Sequence, residues 1–191
     1  LLSWLEEQDF TKLRKQSAQA EDLFRRIGIT FNVYGDEDCV ERIIPFDLIP
    51  RIIAADEWRR LERGIIQRVA AINAFLSDIY HQQEIVRAGV IPASLIHGNK
   101  AFMPQMCGFT PPGNVYTHVV GVDIVRTGPD SFFVLEDNAR VPSGVSYMIE
   151  NRATMLQMFP ELFASHRIQG VGDYPKPVSY THLRAHETIA D

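Results

Sequence analysis

Val122-Asp123-Ile124-Val125-Arg126, Thr127-Gly128-Pro129-Asp130-Ser131 and Phe132-Phe133-Val134-Leu135-Glu136-Asp137-Asn138-Ala139-Arg140 decide how this chain reads. The outer segments are rich in β-branched and aromatic residues. They bracket a cluster of Gly, Pro, Asp and Ser, which is the pattern of a hairpin. Strands are expected over residues 116–126 and 132–137, with the turn at 127–131. Side chains alternate faces along a strand, so Glu136 and Asn138 share a side. A four-residue loop over 128–131 places Asp123 directly opposite Glu136, and directly opposed residues share a face. Asp123, Glu136 and Asn138 then converge as three oxygen-bearing side chains on one sheet surface.

Carboxylates that close repel one another unless a cation lies between them. Hard oxygen ligands suit Mg²⁺, which takes a few protein oxygens together with substrate phosphates. A Glu bridging two Mg²⁺ ions holds nucleotide phosphates and neutralises charge as a phosphoryl group moves. Arg126 and Arg140 lie close enough in sequence to clamp a phosphate or a carboxylate. The bland alternative stays open on spacing alone: acids at a solvated sheet edge are ordinary, and Asp137 reads as one of them.

Outward from the hairpin, the clearest element is a helix over residues 55–80. Leu61, Ile65, Val69, Ile72, Leu76 and Ile79 recur at spacings of three and four, which builds one apolar stripe. Asp56 and Glu57 near its start suit the helix dipole. A short helix over 81–88 should stop at Gly89 and Pro92, and the Pro- and Gly-rich stretch 103–114 reads as a loop. Upstream, residues 1–27 read as helix, 27–34 as a strand closed by Gly35-Asp36, and 43–50, with two prolines, as extended or looped chain. Downstream, 140–145 reads as a loop and 147–158 as a helix closed by Pro160. Residues 178–191 have no periodicity that continues what precedes them and read as a non-native tail. The start, Leu1-Leu2-Ser3-Trp4, reads as a chain begun further upstream, not as a secretory signal.

The 191 residues, 46% apolar and 23% charged, can build a real core. A net charge of −5 argues against a nucleic-acid surface, which needs clustered Lys and Arg. No apolar run has the length to span a bilayer. The two cysteines, Cys39 and Cys107, form no CxxC pair, which disfavours a zinc site and favours a cytoplasmic protein. Cys107 reads as a plain free thiol. His118 reads as structural, His97 has no partner motif, and His182 and His186 fall in the doubtful tail.

Residues 134–147 and Glu150-Asn151-Arg152 resemble the circularly permuted ATP-grasp type 2 family. So do Pro45-Phe46-Asp47-Leu48-Ile49-Pro50-Arg51-Ile52-Ile53 and the segment from Gly64 to Tyr80, which includes Gln67 and Arg68. The likeness covers roughly residues 20–177. That family is similar to glutathionylspermidine synthetases, whose Asp…Glu-x-Asn set binds Mg²⁺; the matching positions are Asp123, Glu136 and Asn138. The resemblance implies an α/β (α+β) fold with a mixed or antiparallel sheet flanked by helices, incomplete because the lobe gripping adenine and triphosphate lies mostly C-terminal to the metal motif. On this reading residues 1–177 are the N-terminal part of a permuted ATP-grasp domain.

The reaction implied is ATP-dependent ligation of a carboxylate to an amine through an acylphosphate, with Mg²⁺ and ATP as cofactors. The substrates are then a small-molecule or peptide carboxylate and an amine, with no nucleic-acid or membrane partner. Ser143 and the Gly144 amide are candidates for phosphate or substrate contact, with a plain turn as the alternative. Asn151 and Arg152 read as cap or surface pair, and Arg51, Gln67 and Arg68 as salt-bridge formers at least as readily as cleft residues. No GxxxxGK[ST] loop stands in for the missing lobe, so this chain alone is not expected to turn over ATP. A non-catalytic binding or scaffold protein of the same fold is the alternative function, and a Mg²⁺-dependent hydrolase a weaker one.

Overall fold

The computed structural model describes residues 2–28, 30–31, 42–44, 46–140, 142 and 144–174. Of the expected strand at 27–34, residues 29 and 32–34 lie outside them, as do Cys39, Ser143 and the tail 178–191, while Ile27 belongs to the preceding helix. Two units form, one from Leu1–Ile52 with Ser143–Asp191 and one from Ile53–Pro142.

In the first unit, the expected single helix over 1–27 is two, α1 (Leu2–Glu6) and α2 (Phe10–Ile27). The break falls at Asp9, whose carboxylate accepts the Thr11 N–H at 2.8 Å and caps α2, the local bonding that draws Asp to helix starts. Gly28, at φ 71°, closes α2 in the left-handed conformation that costs glycine least. Thr30–Phe31 (β1) pairs antiparallel with Arg42–Ile43 (β2). Pro160 ends α6 (Gly144–Met158), as expected, and also opens α7 (Pro160–Ser165), where a missing N–H costs nothing. Ala20, Phe24, Phe46, Met155, Phe159 and Leu162 form the core. Trp4 meets Phe159 edge-on, and Phe24 meets Phe46 likewise.

The second unit carries the hairpin. Its spine is α3 (Ala55–Tyr80), with the bounds its apolar stripe predicts. Beyond it the expected helix over 81–88 shrinks to α4 (Glu84–Arg87). The reason is Asp78, whose carboxylate takes the N–H groups of Glu84 and Ile85 at 2.8 and 3.0 Å, so α4 starts afresh. Another short helix, α5 (Ala93–His97), follows Pro92. Ile79, Tyr80 and Ile96 make the core here, with Phe75, Leu76, Ile85, Phe102 and Tyr116 packed against it.

The strands are β3 (Gly121–Gly128) and β4 (Ser131–Asn138), antiparallel. β3 begins five residues later than its composition predicts. The N–H groups of Tyr116 and Thr117 both go to Asn73 Oδ1 on α3, at 2.8 and 3.1 Å, and so have none left for a ladder. Both ladders of the chain are antiparallel and two-stranded among the described residues, and helices flank them. The fold class is thus the mixed α/β one expected. No described helix is long and apolar enough to cross a membrane.

Candidate metal site on the β3–β4 hairpin

The hairpin closes on a two-residue turn, with Gly128 opposite Ser131, not on the four-residue loop expected. The register at the acids is nevertheless the one that loop would have given. Thr127 is an extra residue on β3 and Leu135 an extra residue on β4. These bulges sit on opposite strands, so their shifts cancel before the acids are reached. Asp123 faces Glu136, Val122 faces Asp137 and Gly121 faces Asn138.

The bulge at Leu135 also sorts the faces. Val122, Ile124 and Arg126 on β3 are half-buried, whereas Asp123 and Val125 between them are exposed. On the exposed side stand Asp123, Glu136 and Asn138, and Asn138 Nδ2 donates to Glu136 Oε1 at 3.1 Å. That bond uses the amide nitrogen and leaves the Asn138 carbonyl oxygen as a third acceptor beside two carboxylates. Among the described residues no cluster of three or more His, Cys, Asp or Glu could cage an ion. Two carboxylates plus one amide oxygen suit an ion that keeps other ligands, as Mg²⁺ does with water and phosphate.

The other face looks toward α3. Asp137, read from sequence as a solvated acid, is instead mostly covered: its side chain is 20% exposed and Arg68 binds it through two nitrogens, at 2.6–2.9 Å. A fork of this kind is the strong form of an Arg–carboxylate pair. The hydrogen bond to Asp137 holds the Arg68 pKa above its ordinary value. Arg60 pairs with Asp130 of the turn, and that hydrogen bond raises its pKa as well.

Arg126 is on this α3-facing side, not with Asp123. Its guanidinium reaches Glu57 Oε1 at 3.1 Å, donates to the carbonyls of Gly128 and Pro129, and lies over the Phe132 ring. Arg140 follows β4 in an exposed bend. Ser143 lies outside the described residues, and Gly144 is the exposed first residue of α6 in the other unit. The structure thus brings together Asp123, Glu136 and Asn138, and it separates Arg126 from them.

An open groove of about 500 Å³ runs between α3 and the hairpin, walled by Leu61, Gly64, Ile65, Val122, Ile124 and Val134. It lies on the face away from the carboxylates, and the arginines at its rim, Arg60 and Arg68, are each already paired with an acid.

Sequence reading passed over Asn73, Thr117 and Gly121. Thr117 is buried, and its hydroxyl donates to the Ala139 carbonyl at 2.7 Å. A Cβ on Gly121 would lie 2.8 Å from Pro142 Cβ and 3.6 Å from Asn138 Cβ. The available signals were weak: an Asn in mid-helix, where it is a poor helix former, and a Gly entering a strand.

An antiparallel hairpin carrying an acid pair and an adjoining amide, backed by a long helix, is what this α/β chain presents. Residues 50–189 match a family model described as a circularly permuted ATP-grasp, and the chain belongs to that family. The match runs into the segment that reads as a tail, and it does not specify the type 2 division. An uncharacterized protein of Synechocystis sp. is 44% identical over 96% of this chain and 38% of its own length. One from Mycobacterium leprae is 52% identical over 82% of this chain and 28% of its own. A Frankia casuarinae protein, provisionally named glutamate–cysteine ligase 2-2, is 44% identical over 71% of this chain and 15% of its own. The chain thus spans well under half the length of these relatives.

Proposed function

We propose that this chain contributes the metal-holding hairpin of an ATP- and Mg²⁺-dependent ligase that joins a carboxylate to an amine. The observation that carries the reading is Asp123 directly opposite Glu136, with Asn138 hydrogen-bonded to Glu136 on the same exposed face. The provisional name of the Frankia relatives supports a reaction of this class.

The chemistry is activation followed by substitution. A carboxylate is a poor electrophile because its oxygens are poor leaving groups. Transfer of the ATP γ-phosphoryl group to one oxygen gives an acylphosphate and ADP. The amine then attacks the carbonyl carbon, the carbon–oxygen bond to phosphate breaks, phosphate leaves with the electron pair, and an amide forms. Asp123, Glu136 and Asn138 would hold Mg²⁺, which supplies charge neutralisation at the triphosphate when bound. Glu136 is the central ligand, placed between Asp123 across the ladder and Asn138 along the strand. Arg140, two residues beyond Asn138, is the arginine we assign to the phosphate or carboxylate. Arg126 we assign to shaping the turn.

The test is Mn²⁺ titration followed by electron paramagnetic resonance, on this chain and on Asp123→Asn and Glu136→Gln. Saturable binding lost in both variants supports the site. Binding that survives both substitutions sinks it, and no binding at all favours the non-catalytic alternative.

A further inference from the structure

We propose that Thr117, held by Asn73, is a positioning residue for the Asp123–Glu136–Asn138 site, acting together with Arg68. This inference rests on the metal-site reading above.

β4 ends at Asn138, because β3 begins opposite it at Gly121. The next residue, Ala139, therefore has no ladder partner, yet it is half-buried. Its carbonyl is taken by the Thr117 hydroxyl at 2.7 Å. A hydroxyl has one proton to give, and the alternative acceptor, the Val119 carbonyl, is farther away at 3.4 Å. Thr117 is itself fixed: its N–H and that of Tyr116 bond to Asn73 Oδ1. Asn73 in turn donates from Nδ2 to the Val69 carbonyl of its own helix. A continuous line of hydrogen bonds thus runs from α3 through Asn73 and Thr117 to Ala139.

A second line starts five residues earlier on the same helix, where Arg68 grips Asp137. Asp137 and Ala139 are the neighbours of Asn138 on either side. Alternation along the strand then leaves Glu136 and Asn138 only the opposite face. Neither Thr117 nor Arg68 belongs to the ligand set. Together they fix the direction in which two of its three members point, and Pro142, close over Gly121, borders the same end of the face. Groups hydrogen-bonded directly to ligands typically contribute about 10- to 100-fold in metal affinity; Thr117 and Arg68 bond the residues flanking Asn138, one step further out, so the low end of that range is expected.

The experiment uses the whole chain and Mn²⁺ as the probe, read by electron paramagnetic resonance, with circular dichroism as the check on folding. Thr117→Val removes the hydroxyl at nearly constant volume, and Thr117→Ser restores it. The expected result is Mn²⁺ affinity about tenfold weaker in Thr117→Val, near the parent value in Thr117→Ser, with a changed zero-field splitting of the bound ion in the valine variant. Unchanged affinity and spectrum in folded Thr117→Val overturn the inference and leave the metal site standing. Equal loss in valine and serine variants also overturns it, because packing would then matter and not the hydroxyl. Absent or Asp123-independent binding in the parent chain refutes the metal site itself, and this inference with it. Should Thr117→Val not fold, Arg68→Gln carries the test, and undiminished Mn²⁺ affinity there overturns the inference.

Discussion

Replacing Arg126 with alanine should destabilise the second unit while leaving the acidic face chemically intact. The guanidinium makes three polar contacts, with Glu57 and with the Gly128 and Pro129 carbonyls. The two carbonyls lie at the hairpin turn, where water can replace the lost donor, so they contribute little to the cost. Glu57 decides the magnitude. Its side chain is 11% exposed against 32% for Arg126, so truncation leaves a largely buried carboxylate without its cation. Exposed pairs contribute about 0–1 kcal/mol, and breaking a buried pair costs about 3–5 kcal/mol. A pair of intermediate exposure should cost about 2 kcal/mol, which at an m-value near 2 kcal/mol/M lowers the urea midpoint by about 1 M. The two tryptophans fall one in each unit, Trp4 and Trp58. In a Trp4→Phe background, Trp58 fluorescence reports on α3 next to Glu57. The double variant with Glu57→Gln should recover at least about 1 kcal/mol relative to the sum of the single losses. A loss below about 0.5 kcal/mol, or strict additivity with Glu57→Gln, refutes the reasoning.

Other outcomes follow from the same geometry. Without metal, Asp123 and Glu136 face each other as like charges, so Glu136→Gln should raise thermal stability by roughly 0.2–1 kcal/mol while removing Mn²⁺ binding; a drop in melting temperature would contradict this. Gly121→Ala drives a Cβ to 2.8 Å from Pro142 and should cost about 1–3 kcal/mol, as overpacking does, seen as faster amide exchange in β4. A Cβ on Gly64, in the middle of α3, meets nothing within 4 Å, so Gly64→Ala should stabilise by about 0.5–1 kcal/mol in thermal melts. ATP hydrolysis by this chain alone should stay at background in a phosphate-release assay; turnover lost in Glu136→Ala would show that the hairpin unit needs no further lobe.

Local pattern made much of the second unit legible. The stripe from Leu61 to Ile79 gave α3, because burial on one helix face leaves a 3.6-residue period that no distant contact has to supply. The hairpin was equally plain from its strands and turn. Element ends were less so. The start of β3 and the short α4 depend on where the side chains of Asn73 and Asp78 place their hydrogen bonds, and sequence neighbours do not reveal that.

The candidate site divides in the same way. Sequence by itself put Asp123, Glu136 and Asn138 on one face of the hairpin, because that depends only on strand alternation and an antiparallel register. It reached that register through a four-residue loop, and the structure reaches it through a tighter turn whose two bulges compensate. The tertiary structure alone decided the fate of the flanking charges. Arg126 and Asp137 sit within three residues of the acids along the chain, yet both turn to α3, where Glu57 and Arg68 wait from far upstream. A charge takes the strongest partner in space, and proximity along the chain does not name that partner.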